Sequence, residues 1–598
     1  MNELPSKNTY IIIAVAVVIA AVGGGYLYLQ QSQQAAALEA RKTKWDNWAK
    51  TLYMGTTNFD FHPGGIDIGT STGTSIYRHL IAPRMFWVDS KKSGVYNPLV
   101  GDNWTQKKDA DGTTYIEFKL KTGWTFRDGT PINAENMKWN WDRALNDLPN
   151  RKQNAESYAV YALEDSYGTS EKKLVVKDAQ TILMYTNPSW PTFQPFWKHF
   201  LFGLDYSFLF SKTMGEQYGK ETSTLDDYVK IGQTGGRGPF YLGSYVQGQR
   251  YTLLADESYP VNPLGGGAGP TKSQNIKTVV MSSYADLASS RLALETAEID
   301  TTVGSALSRA DLPTLSKNTN LKLEIVPTVG SGNLLHMNYD PAFAPLNNIN
   351  VRKAIQYIVD PKEIVDKLMF GYASVSDSPV RPFLDYYKPV MKPIRDLTMP
   401  ERIAKAKELL ALAGYPTGFK TQFWYASGTA TEGFNRDLGT ILQNQMAKIG
   451  IQLELKYVER GVYNTMVRAG ELPMFTRGWT FDYPDPDTEL FYMMHSTSPD
   501  LTKRIKFSDP HIDSLLVEGR TLYGAGQDAR RKEIYTELQD FIVSNGYAVP
   551  LYLDGFWDGH QTYVQNYQQW SVCDKPDQGI WNIVKAVPQD WQTRDPPH

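Results

Sequence analysis

Apolar and polar positions along the chain fall into blocks of different period, and each block predicts an element. Residues 10–29, YIIIAVAVVIAAVGGGYLYL, carry no charge over twenty positions. As a helix rising about 1.5 Å per residue they cover ~30 Å, the depth of a bilayer core. A secretory signal is the rival reading, with its apolar core at Tyr10 to Val22 and a break at Gly23-Gly24-Gly25. Against it, Tyr26 to Leu29 prolong the apolar run, and the small residues Ala35-Ala36-Ala37 come late for cleavage. The favoured reading is a tail at 1–9, an uncleaved transmembrane helix at 10–29 and a polar, helix-prone stalk at 30–49. The body of the protein starts near Trp45.

In the second half the period alternates between 2 and 3.6. Residues 419–425 (FKTQFWY) predict a strand, and 432–449 a helix with Leu438, Ile441, Leu442 and Met446 on one face. Gly450 ends that helix, and Ile451, Leu453 and Leu455 then alternate as a strand. A short helix over 461–470 and a strand over 473–479 follow. Strand, helix, strand, helix, strand implies parallel pairing with right-handed crossovers. Upstream, Pro400-Glu401 opens a helix that Gly414 stops. The first half is richer in strands. TTYIEFKLK (113–121) alternates, Asp128-Gly129 marks a turn, and Asn133 is placed to cap a helix carrying Met137, Trp141 and Leu145. QRYTLLA (249–255) is another strand, and PVNPLGGGAGP (260–270) is a loop.

Composition narrows the function. A chain of 598 residues exceeds one hydrophobic core, so roughly two to four domains are expected. The net charge is −3, which provides no field towards nucleic acid. The single Cys573 forms no internal disulfide, and the eight histidines show no ligand spacing, so neither a metal nor a cofactor is expected. No lipid-acceptor cysteine follows the apolar run. P-loop and H-E-x-x-H motifs are absent, which argues against an enzyme. Flanking charge (Lys7 before the span; Arg41, Lys42 and Lys44 after it) leans weakly towards a cytoplasmic body.

The densest cluster of candidate chemistry is MFTRGWTFDYPDPDTELF, residues 474–491, with Asp482, Asp485, Asp487 and Glu489. Two prolines and no central glycine defeat a calcium loop. Asp487 precedes TELFYMM and reads as a helix cap, with Glu489 in the first turn of that helix. Asp482 lies just past the end of a strand, where open α/β sheets place ligands.

Six segments then carry a resemblance. YIEFKLKTGWTFRDGTPINAENMKWNWDRAL (115–145), RGPFYLGSYVQGQRYTLLADESY (237–259) and RLALETAEID (291–300) come first. HMNYDPAFAPLNNINVRKAIQYIVDPKEIVDKLMFGYA (336–373), AKELLALAGYPTGF (406–419) and GWTFDYPDPDTEL (478–490) follow in order. Together they resemble the extracytoplasmic solute-binding proteins of peptide-type ABC importers, solute-binding family 5, from about Leu52 to Leu553. The lipoprotein signal usual in that family is missing, Thr296-Ala297 replaces its Ala-Gly, and 260–270 is an insertion.

The resemblance implies an α/β fold: a two-lobed, periplasmic-binding-protein-like clamp with an extra third domain, preceded here by the transmembrane helix. Lobe I would comprise 50–85, 232–313 and 554–598, with an additional domain at 86–231, and lobe II would be 314–553. Two segments near 325–338 and 546–556 would cross between lobes as a hinge. The implied function is an extracellular receptor, anchored at the membrane, that captures di- or oligopeptides and delivers them to ABC permease subunits. An oligosaccharide ligand and a structural cell-surface protein with a degenerate clamp are the alternatives. By resemblance Asp482 would bind a peptide ammonium, and Asn58 and Phe59 would line the cleft. Trp479 packs on either ligand or core. Arg381, Arg460 and Arg477 are the candidates for a ligand carboxylate, although a solvated state is the default for each.

Overall fold

The computed structural model describes residues 7–57, 80–83, 85–88, 96–146, 174–185, 209–219, 224–259, 275–304, 306–326, 332–429, 431–479, 485–496, 504–522, 526–567, 580 and 583–597. Helix α1 (Lys7–Lys50) is one element of 44 residues. It has no break at Gly23–Gly25, and from Ala14 its apolar part is exposed and long enough to cross a membrane. The polar stalk is its continuation. The helix passes directly into strand β1 (Thr51–Thr56).

β1 is the centre of a seven-stranded sheet, in which the other strands are β8 (Phe240–Val246), β9 (Arg250–Ala255), β10 (Thr278–Ser283), β11 (Thr301–Thr302), β12 (Leu321–Val326) and β19 (Phe556–Gln561). Their order is β12-β19-β11-β1-β10-β9-β8. β1 runs parallel to β10 and β11, and the remaining pairs are antiparallel. Leu52, Met54, Leu253, Val279 and Met281 pack on one face, while Leu294, Ile299, Leu307 and Trp557 pack in a separate cluster.

A second, six-stranded sheet is built from β13 (Gly332–Met337), β14 (Ser374–Val375), β15 (Lys420–Ser427), β16 (Gln452–Glu459), β17 (Met474–Trp479) and β18 (Ala548–Leu553). Its order is β14-β18-β13-β17-β15-β16. β15 is parallel to both β16 and β17, as the strand–helix alternation predicts. The strands feed α4 (Glu432–Ala447) and α5 (Arg460–Ala469), and α3 (Met399–Leu412) precedes them. Gly450 adopts φ 86° beyond α4, a conformation that costs a side-chain-bearing residue energy. Both faces of its central strands β18, β13 and β17 are buried, while edge strand β16 exposes one face. On β13, Leu335 and Met337 enter one core with Val549, Leu551 and Phe423, and Leu334 enters the other with Phe475 and Ala548. That is the period-two alternation of a strand covered on both sides.

A four-stranded antiparallel sheet, order β4-β5-β7-β6, comprises β4 (Gly101–Lys108), β5 (Thr114–Leu120), β6 (Leu174–Asp178) and β7 (Thr181–Tyr185). Helix α2 (Ala134–Asn146) lies against it, and Asn133 Oδ1 accepts the Asn136 N–H at 2.9 Å, the predicted cap. The turn at Asp128-Gly129 forms, with Gly129 at φ 84° and the Phe126 N–H on the Thr130 carbonyl. Two short hairpins complete the strands: β2 (Phe86–Val88) with β3 (Tyr96–Pro98), and β20 (Val564–Gln565) with β21 (Val584–Lys585). The glycine-rich tract 260–270 lies outside the described residues.

The chain passes between the two large sheets from β12 to β13, and again from β18 to β19 through Asp554-Gly555. Residues 321–326, placed with the second lobe by the sequence division, hydrogen-bond to β19 in the first sheet. The reason is that β12 and β19 pair along their whole length, from Leu321–Gln561 to Val326–Phe556.

Candidate functional site

Parallel strands leave all their carboxyl ends on one edge, and open α/β sheets bind ligands there. In the second sheet those ends are Ser427, Glu459 and Trp479, and in the first they are Thr56, Ser283 and Thr302. The loop after β11 leads to Arg309, and α4, entered after β15, carries Phe434 in its first turn. The Arg309 guanidinium lies 5.8 Å from the Phe434 ring centroid and 4.6 Å from that of Trp557 on β19. Thus the carboxyl-end loops of both sheets meet. Arg309 Nη2 is 2.6 Å from Asp554 Oδ1 on the crossover, and that oxygen also accepts the Gly555 N–H. Burial raises the Asp554 carboxyl above its ordinary range, against the opposing pull of Arg309. Trp557 is fixed by its Nε1–H to the Leu307 carbonyl at 2.9 Å. Sequence reasoning placed Asp554 and Gly555 in the expected crossing segment 546–556 but singled out neither Arg309, Phe434 nor Trp557. A tryptophan three positions after an Asp-Gly crossover was the available signal.

The acid-rich stretch after β17 has a different outcome from the one expected. Asp482 lies outside the described residues, as do Asn58 and Phe59. The three later acids sit in buried ion pairs. Asp487 is gripped by Arg520 at 2.7 and 2.8 Å, and Asp485 by Arg531 at 2.7 and 2.9 Å. Glu489 pairs with Arg381. All six side chains are buried. Arg520 comes from α7 (Pro510–Thr521) and Arg531 from α8 (Asp528–Ser544), which pack beside α6 (Asp487–Met494). Asp487 is therefore not the helix cap. It is the first residue of α6, and Asp485 accepts its N–H at 2.9 Å. Glu489 lies in the first turn of α6 as expected, but its side chain is interior. Charges taken from water require a partner with matched geometry, and the guanidinium fork supplies it.

Of the candidate arginines, Arg381 is sealed from solvent, contrary to the solvated default. It pairs with Glu489, and its Nη2 donates to the Trp479 carbonyl at 2.9 Å. Its work is to hold the carboxyl end of β17, because the buried charge is already neutralised there. Arg477 is half-buried on β17, near His336. That imidazole is wholly buried and stacked on Phe475 at 5.4 Å. Burial, then the charges of Arg477 and Arg504, pull its pKa down to about 3. Arg460 is exposed at the start of α5, which Glu459 caps through the Gly461 and Val462 N–H groups. Trp479 is 8% exposed and stacks on Tyr492 with ring centroids 5.4 Å apart, so its ring belongs to the core.

Among the described residues no three His, Cys, Asp or Glu side chains gather as a metal site. A concavity of about 780 Å³ lies at the opposite ends of β15 and β16, lined by Lys420, Gln422, Gln452 and Glu454. It is away from the junction of the sheets.

The model of the family described as bacterial extracellular solute-binding proteins, family 5 Middle, matches residues 95–500. The chain belongs to this family. Members are binding receptors of ABC importers rather than enzymes. A relative, the heme-binding protein A of Haemophilus influenzae, is 26% identical over 505 residues, covering 82% of this chain and 84% of that protein. The glutathione-binding protein of Escherichia coli K12 is 25% identical over 476 residues, covering 78% and 82%. Among solved structures, a periplasmic binding protein of Helicobacter pylori in complex with the peptide STSA superposes with a TM-score of 0.64. It is 21% identical, with 90% of this chain and 98% of that one covered. The family 5 receptor thus has the mixed α/β periplasmic-binding-protein fold.

Proposed function

We propose that this family 5 receptor is anchored at the membrane by α1 and captures peptides outside the cell for the permease of an ABC importer. The observation that carries the reading is the meeting of carboxyl-end loops at Arg309 and Phe434, joined to a crossover at Asp554-Gly555. This is a place where a ligand touches both lobes. Lobe I is then 50–85, 232–326 and 554–598, lobe II is 332–553, and 86–231 is attached to lobe I. A ligand that gains contacts when the lobes meet shifts the open–closed equilibrium by that gain. Two crossing segments absorb the motion in a few backbone dihedrals.

The peptide assignment rests on charge. Asp485, Asp487 and Glu489 are neutralised by Arg531, Arg520 and Arg381 and are closed to a ligand. Asp482 is then the acid of the stretch that takes the peptide ammonium. Asn58 and Phe59, which follow β1 in the sequence, are the further residues assigned to the ligand by the resemblance. Arg460, exposed at the end of β16, is a better carboxylate partner than the sealed Arg381. The burial of Trp479 weighs against a sugar stacked on its ring. An unbroken α1 whose last turns belong to the body supports an anchor over a cleaved signal.

Mass spectrometry of ligand released by denaturing the purified protein tests the reading. Short peptide ions are expected. Haem, an oligosaccharide or an opine in their place would overturn the substrate class. A preparation that is empty and binds no peptide on titration would favour a structural protein with a degenerate clamp.

A further inference from the structure

The end of α1 is held by a segment far away in the chain. Trp45 Nε1–H donates to the Arg594 carbonyl at 3.0 Å, and Lys44 Nζ lies 2.9 Å from Asp595. Arg41 reaches the same carboxylate at 3.5 Å and also donates to the Gln592 carbonyl. Trp45 and Trp48 are each 3% exposed and meet edge to face at 4.9 Å. Trp48 meets Tyr563 in the same way at 4.8 Å.

Beneath the tryptophans lies a closed ion pair. Lys585 Nζ sits 3.9 Å from the Trp48 ring centroid and 2.8 Å from both Asp300 Oδ2 and the Thr51 carbonyl. Asp300 also accepts the Tyr53 N–H at 2.8 Å and the Tyr563 hydroxyl at 2.9 Å. Both side chains are fully sealed. A single cluster therefore ties the α1–β1 joint to Asp300 just before β11, to Tyr563 after β19 and to Lys585 on β21, the strand that pairs with β20 beside the first sheet. Residues 30–40 are exposed along α1, so the helix emerges from this cluster as a bare rod about 16 Å long at ~1.5 Å per residue.

We propose that residues 583–597 form a collar that makes α1 and lobe I one rigid unit, so that lobe I is stationary on the membrane and lobe II is the part that swings. This rests on the anchored-receptor reading and adds which lobe moves. A flexible tether would let the whole clamp tumble. The collar instead presents the cleft at a fixed height and orientation, and closure carries lobe II towards a lobe I already placed.

The test uses the full chain in lipid nanodiscs, with Cys573→Ser and nitroxides at Ser32→Cys and Lys322→Cys, read by pulsed electron double resonance. A second sample carries the labels at Ser32→Cys and Lys407→Cys, on α3 of lobe II. The Ser32–Lys322 distribution is expected to be a single narrow peak that a mixture of tri- and tetrapeptides leaves in place. Truncation after Pro588, which removes Gln592, Arg594 and Asp595, is expected to widen it by about twofold or more. The milder Asp595→Lys is expected to widen it in the same direction. A broad distribution in the intact chain, or one that neither change alters, overturns the collar. The Ser32–Lys407 distance is expected to move when the peptide mixture is added. If it stays put while the first peak is narrow, the peptide reading fails and the collar stands. Intact mass reports separately whether residues 1–30 are retained, and their loss overturns the stationary lobe.

Discussion

Arg520 holds Asp487 through both carboxylate oxygens, at 2.7 and 2.8 Å, with neither side chain reaching solvent. The acid that looks like a helix cap in the sequence is one of three interior ion pairs that secure the segment after β17. Through Arg381, which also donates to the Trp479 carbonyl, they are joined to the end of β17.

Breaking that pair on one side leaves a charge stranded in the interior. Asp487→Ala is expected to cost about 3–5 kcal/mol of stability. Replacing both partners, Asp487→Leu with Arg520→Met, is expected to recover most of it, because two apolar groups leave nothing to desolvate. Urea denaturation of the soluble body checks both. Equal losses in the single and double variants would mean the pair is not the cause.

Asp482→Ala is expected to abolish peptide binding in calorimetry while the melting temperature of the ligand-free protein barely changes. A surviving affinity removes Asp482 from the site. A large drop in melting temperature would instead place it with its three neighbours as a structural acid.

Acid is expected to weaken lobe II through His336. Its folded pKa is down at about 3, whereas an unfolded imidazole titrates at ~6.5. Between those values the unfolded chain binds the extra proton, so stability falls as pH falls, by up to about 1.4 kcal/mol per unit. Above pH ~6.5 the group has no effect. His336→Phe is expected to flatten this part of the stability profile, read from denaturation midpoints at pH 4 to 7. An unchanged slope would assign the acid sensitivity to other groups.

Phe434→Ala removes the ring that Arg309 meets across the junction. A cation–π contact is worth about 0.5–1 kcal/mol, so ligand affinity is expected to drop ~2- to 5-fold with no new polar group exposed. Small-angle scattering of the liganded variant is expected to show a larger open fraction than wild type. An affinity loss without a change in shape would place Phe434 against the ligand rather than in closure.

Local pattern carried much of the architecture. The strand run 419–425, the alternation in 451–455, the helical face of 432–449 and the stop at Gly450 appear as β15, α4 and β16 in parallel order. Asn133 caps α2 as its position suggests. These features depend on residues within a few positions of one another, which is the range a periodicity reports. The site was less legible. Asp487 and Arg520 are 33 positions apart, and Asp485 and Arg531 are 46 apart. No spacing rule connects them, and nothing in SRADLP or GFWDGH marks Arg309 and Trp557 as neighbours.

By itself the sequence determined the long apolar helix, the alternation of strands and helices, and the order of segments that places the chain in its family. Only the tertiary structure decided which charges face inward. Whether an acid caps a helix, meets a ligand or sits sealed against an arginine depends on what desolvates it, and that is set by elements packed from distant parts of the chain. The same reason hid the collar. The end of α1 is polar and helical in the sequence, and it becomes part of lobe I because Trp45 and Trp48 are covered by residues more than five hundred positions away.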